Sequence, residues 1–145
     1  MTRLGWGPAL AGVGIGTALL YFAGLAAAIP ALCLAVKPFP ALALAAWVAQ
    51  RCPRPLGRLT AAGLVLSAVG DVVLETGLFL PGLLAFLAAH LAYVAAFLAA
   101  ERQPALGRAL PFLAWGLGAF AILRPGLGPI AVPVAVYVAV ICTMM

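Results

Sequence analysis

The stretch 59-LTAAGLVLSAVGDVVLETGLFLPGLLAFLAAHLAYVAAFLAA-100 carries the only aspartate and the only histidine of the chain. It reads as two apolar segments hinged at Thr76-Gly77 and Pro81-Gly82. Its polar residues, with small and aromatic ones, recur at helical intervals: Gly63, Ser67, Gly70 and Asp71 on the first segment, then Gly82, Phe86, His90, Tyr93 and Phe97 on the second. Burial among apolar neighbours requires none of the polar members, so the stripe they form points to function.

Around this hairpin the chain stays apolar. Of its 145 residues 67% are hydrophobic and 8% charged, and the mean hydropathy is +1.24. Soluble domains are about 25% charged, and a fold this short cannot hide so much apolar surface from water. The composition predicts a single all-α integral-membrane domain over residues 1–145, a polytopic transmembrane helical bundle. Closed barrels need strands that alternate polar and apolar residues, and these segments are apolar on all sides. The net charge of +5 lies in arginines between apolar segments, without a basic run interleaved with aromatics, so nucleic acid is not the expected partner. Cys33, Cys52 and Cys142 are scattered and only one histidine exists, which argues against a disulfide framework or a zinc centre. No cofactor is expected.

In chain order, Pro8 to Ile29 is longer than the ~7 to 15 residues of a signal-peptide core and is read as a retained first span. A second lies within Ala31 to Ala49, interrupted at Lys37-Pro38-Phe39-Pro40. Pro38 biases Lys37 away from helical geometry, so a regular helix is expected to start at Pro38, with Lys37 near the membrane boundary. Gln50 to Arg58 is read as a loop, and the hairpin supplies the third and fourth spans. After a polar loop from Glu101 to Arg108 come a fifth span, Ala109 to Leu123, a turn over Arg124 to Pro129, and a sixth span from Ile130 onward. These six spans place Arg3, Arg51, Arg54, Arg58, Arg102 and Arg108 on one side and only Arg124 on the other. The positive-inside rule then predicts a cell-membrane protein with a cytoplasmic N-terminus, and Lys37, Asp71 and Glu75 toward the external leaflet. The last residues, Ile141 to Met145, lack a polar flank, as expected of a chain cut at the end of a helix.

An ionised aspartate at a bilayer centre costs about 2.5 to 3.5 kcal/mol on insertion scales. Asp71 precedes Glu75 by one turn, ~6 Å, which sets it below the interface. Ser67 and Asp71 share a helix face, and His90 falls near the depth of Ser67, within reach across the hairpin. Three readings stay open: interhelical hydrogen bonds that only hold the bundle; a Ser/His/Asp triad, awkward because Ser67 and Asp71 are neighbours on one helix; and general acid/base chemistry in a lipid-accessible cavity, with Asp71 moving the proton and His90 assisting. Lys37 is either a snorkelling lysine or a cation for a lipid phosphate or a buried carboxylate.

Lys37-Pro38, the run GLVLSAVGD from Gly63 to Asp71, and Phe79 with Gly82, Phe86, His90, Tyr93 and Phe97 resemble the membrane lysoplasmalogenases of the YhhN-like group, with weaker support from Pro133, Tyr137 and Met144. The resemblance covers the chain from about Lys37 onward. It implies hydrolysis of the vinyl-ether bond of a lysophospholipid, releasing a fatty aldehyde and a glycerophospho-ethanolamine or -choline, with membrane lipid as the other partner. It makes Asp71 the leading acid/base residue and His90 its helper, Ser67 and Tyr93 positioning groups, and Lys37 the phosphate ligand. It also implies about eight spans, the later ones carrying a further Ser-Asp pair, so that this chain is expected to be a C-terminally truncated member, inactive if that second carboxylate is needed. The alternative is a small membrane transporter or lipid-binding protein without catalysis, Asp71 and Lys37 lining its path.

Overall fold

The computed structural model describes residues 6–52, 54–100 and 106–144, and every regular element among them is helical. They are α1 (Trp6–Ala26), α2 (Pro30–Val36), α3 (Phe39–Arg51), α4 (Leu56–Glu75), α5 (Phe79–Ala100), α6 (Leu106–Leu127) and α7 (Ala131–Met144), with a 3₁₀ turn at Gly128–Ile130. Among the described residues five stretches are long and apolar enough to cross a membrane: Gly7–Ala26, Pro30–Arg51, Leu56–Glu75, Phe79–Ala100 and Leu110–Met144. The last is a composite of α6 and α7, which fold back on each other: the Cys142 thiol reaches the Phe112 carbonyl at 3.5 Å. The expected fifth and sixth spans are therefore both present as helices. With 14 residues, α7 rises only ~21 Å against a hydrocarbon core of about 30 Å.

Several boundaries move from the sequence expectation. Pro81-Gly82 is no hinge. The turn is confined to Thr76–Leu78, where Gly77 takes a φ of +82°, and α5 already starts at Phe79. Pro81 then sits in a first turn, whose N–H groups lack intrahelical partners anyway, so it removes no bond. Likewise α6 runs on through Arg124 and Pro125, and the chain reverses at Gly128, whose φ is +49°. Arg51 closes α3, while Arg58 and Arg108 lie within the first turns of α4 and α6, so the loops are shorter than the arginine positions suggested. Arg3, Glu101 and Arg102 lie outside the described residues.

The interruption at Lys37-Pro38 is milder than a proline there predicts. Lys37 keeps helical angles, φ −53° and ψ −43°. Its N–H donates to the Cys33 carbonyl at 3.0 Å, and the Leu42 N–H donates to the Pro38 carbonyl at 3.0 Å, so the two turns that flank the junction hold it in line. Regular helix resumes at Phe39, with Pro38 as its cap. Lys37 lies seven residues into the Pro30–Arg51 span, ~10 Å along the axis from its start.

The main packing contacts arrange the helices in a row, α1–α3–α4–α5–α7–α6, with α2 against α1. Small residues fill the seams. Ala89 and Ala96 of α5 are wholly buried, as nearly are Cys33, Ala68 and Cys142, whereas Trp115 and Ile122 of α6 are 81% exposed. That is the distribution expected when lipid is the solvent, since bulky apolar side chains gain nothing by leaving it and close backbone approach is what binds the helices.

Candidate functional site

The α4–α5 hairpin is keyed by glycines facing aromatic rings. A methyl added at Gly63 would overlap the Tyr93 ring, and one at Gly70 would lie 2.7 Å from the ring of Phe86. Farther up, Gly82 of α5 leaves the same kind of space for Leu74. From 63/93 to 70/86 each helix moves seven residues in opposite directions, and from there to 74/82 four, so one antiparallel register joins all three pairs. The spacing of GLVLSAVGD and of its aromatic partners is a packing code, and it fixes which polar residues meet.

Ser67 is the first of these. Its hydroxyl shares a 3.1 Å hydrogen bond with the Tyr93 hydroxyl, so it pairs across the hairpin with the tyrosine rather than with His90. His90 packs edge-on against two rings, Tyr93 at 5.8 Å and Tyr137 of α7 at 5.2 Å between centroids. Its Nδ1 lies 2.7 Å from the Phe86 carbonyl, one turn back on its own helix. A carbonyl only accepts, so the proton of this bond belongs to Nδ1, and the uncharged form of the ring with that tautomer presents its lone pair on Nε2.

A second polar group forms toward the other end of α4. Lys37 Nζ donates to Glu75 Oε2 at 2.5 Å, and both side chains keep about a quarter of their surface exposed. The ammonium also stands 5.5 Å from the centroid of the Tyr21 ring on α1, within cation–π range. The sequence allows a carboxylate as one partner for Lys37 without singling out Glu75, and it gives Tyr21 no role. The signal available was weak: Glu75 ends a hydrophobic segment, where a charge is ordinary, and Tyr21 is one hydroxyl in an apolar helix.

Asp71 lies between the two groups, one turn from Glu75 and one from Ser67, half-buried. Among the described residues no hydrogen bond or ion pair holds its carboxyl. The polar side chains therefore thread across the row from α1 to α7: Tyr21, Lys37 and Glu75 at one level, Asp71 next, then Ser67, Tyr93, His90 and Tyr137. Two apolar cavities lie elsewhere. One of about 320 Å³ opens between α1 and α3, lined by Leu10, Gly14, Pro40, Ala43 and Trp47; the other, about 230 Å³, lies between α3 and α4 over Pro38, Leu42, Ala68 and Val72. The second flanks the Asp71 segment without including its carboxyl.

A family model described as the YhhN family matches residues 32–145, the part of the chain that holds every one of these polar residues except Tyr21. No curated protein and no solved structure matches the chain.

Proposed function

Because the chain belongs to the YhhN family, and because a carboxyl with no partner among the described residues lies along the polar stripe between a cation and the histidine, we propose that the protein is a membrane hydrolase of lysoplasmalogens. The observation that carries the proposal is the position of Asp71. A vinyl ether has no carbonyl for a serine to attack, so the reaction needs a proton donor and a water activator in an apolar setting that admits an alkyl chain. Asp71 gives its proton to the alkene carbon remote from the ether oxygen. The resulting oxocarbenium ion takes up water, whose proton passes to the Asp71 carboxylate or to His90 Nε2. The hemiacetal then collapses to a fatty aldehyde and a free glycerol hydroxyl, with one water consumed and the donor proton restored.

In this reading Ser67 and Tyr93, hydrogen-bonded to each other, position the reacting groups and are not nucleophiles, since the vinyl ether has no carbonyl for a hydroxyl to attack. Lys37 takes the phosphate. The external leaflet is the proposed level of the Lys37–Glu75 group, with the N-terminus cytoplasmic, because Arg51, Arg54 and Arg58 gather at the opposite end of α3 and α4. The transport reading draws on the interruption at Lys37-Pro38, and a backbone that stays helical through that junction gives it little support. Incubating the intact purified protein with a lysoplasmalogen in mixed micelles tests the proposal: aldehyde release by the protein and none by its Asp71→Asn variant is expected. No aldehyde from the intact protein, under conditions in which another family member yields it, overturns the hydrolase reading.

A further inference from the structure

The groove of about 320 Å³ between α1 and α3 is apolar along its length and cationic at one end. Gly14 meets Pro40 and Ala43 where the two helices touch, while Ile15, Leu44 and Trp47 at the rim are 64%, 47% and 40% exposed, so the groove stays open along its side. From Pro40 to Trp47 it follows α3 for ~10 Å. Arg51 stands one turn past Trp47, and Gly7 one turn before the groove-lining part of α1. A methyl added at Gly7 would lie 3.1 Å from a terminal nitrogen of Arg51 and 3.6 Å from Trp47 Nε1. Both N–H donors thus come together over Gly7, where the groove ends. Among the described residues neither has a hydrogen-bond acceptor, and no carboxylate pairs with the guanidinium.

An apolar trough that ends at two converging donors, one of them a permanent cation, matches an amphiphile whose alkyl chain leads to an anionic group. From this geometry we infer that the groove binds one anionic phospholipid, with its phosphate on Arg51 and Trp47 Nε1 and one acyl chain lying between α1 and α3. A zwitterionic lipid offers the same phosphate but brings an ammonium that competes with the guanidinium for it. Arg54 and Arg58 lie at this same end of the helices, the end proposed to face the cytoplasm, whose leaflet carries the anionic lipids. The site is separate from the polar stripe of α4 and α5, and its α1 wall precedes residue 32, outside the residues matched by the family. It does not depend on the hydrolase reading. A lipid held there ties α1, the edge helix of the row, to α3.

Native mass spectrometry of the intact protein in detergent tests the site, with phosphatidylglycerol and phosphatidylcholine of the same acyl chains as probes. The wild type is expected to bind one phosphatidylglycerol with a preference of roughly fivefold, the attraction of a single basic residue near the bilayer surface. Arg51→Gln brings that ratio to about one, whereas Arg54→Gln, which removes a charge outside the groove, lowers it far less. Ala11→Phe fills the groove from its exposed side and reduces occupancy by both lipids with every charge kept. Phosphatidylglycerol also raises the melting temperature of the wild type and not that of Arg51→Gln, since a ligand stabilises only the state that binds it. Equal wild-type binding of the two lipids, or undiminished occupancy in Ala11→Phe, overturns the site. Equal losses from Arg51→Gln and Arg54→Gln overturn it as well, in favour of a diffuse basic surface. Glycerol 3-phosphate, which has no acyl chain, is expected not to compete; displacement of the lipid by it would reduce the site to a bare phosphate contact and overturn the lipid assignment.

Discussion

The Tyr93 ring occupies the space that Gly63 leaves by having no side chain, and this one contact sets the Tyr93 hydroxyl 3.1 Å from Ser67. Packing and polar geometry are here the same fact. Replacing Gly63 by Ala drives a methyl into the ring and is expected to destabilise the bundle by about 1–3 kcal/mol. Thermal unfolding in detergent reads the loss. Adding Tyr93→Ala should recover part of it, and a double variant no more stable than Gly63→Ala alone would show that the ring is not what the glycine accommodates.

Ser67→Ala separates a positioning serine from a nucleophile. Removing one interhelical hydrogen bond costs about 0.6 kcal/mol on average, so the variant should fold normally and retain measurable aldehyde release. Complete loss of turnover with an unchanged melting temperature would return Ser67 to the chemistry.

His90 is expected to sit as the Nδ1–H tautomer because only a proton there can meet the Phe86 carbonyl. Nitrogen NMR of the single, selectively labelled histidine reports this directly, with a protonated Nδ1 and a bare Nε2. His90→Phe keeps the edge-on packing against Tyr93 and Tyr137 and removes the base, so turnover should fall by roughly 10²-fold or more while the melting temperature stays near that of the wild type.

Lys37→Met leaves Glu75 without its partner. The expected cost is about 1–3 kcal/mol, read by thermal unfolding, and Lys37→Met combined with Glu75→Gln should regain most of it because no charge is then stranded. If the double variant is no better than the single, the pair does not contribute as a pair.

The α4–α5 hairpin was legible in the sequence because its information is local. Glycines and aromatics at matched spacings of seven fix the register, and the polar stripe follows from it. The Lys37 partner was less so, since two carboxylates, Asp71 and Glu75, lie one turn apart on α4 and only the helix alignment through Pro38 aims the ammonium at Glu75. The bias against helix before a proline is real, but the bonds on either side of Lys37 outweigh it. Tyr137 was visible only through the family resemblance. Its approach to His90 depends on α7 packing between α5 and α6, a choice of neighbour that no hydrophobic period within either segment encodes.

That placement has a bearing on how the molecule comes together. In the row α1–α3–α4–α5–α7–α6, most neighbours follow one another along the chain and can associate as they emerge during synthesis. The exception is α7, which must settle against α5 after α6 has already passed that position. The wall that Tyr137 gives His90 therefore depends on a contact between helices that are not neighbours along the chain, and a defect in α6 that keeps α7 from α5 would strip that wall without altering a residue of the hairpin.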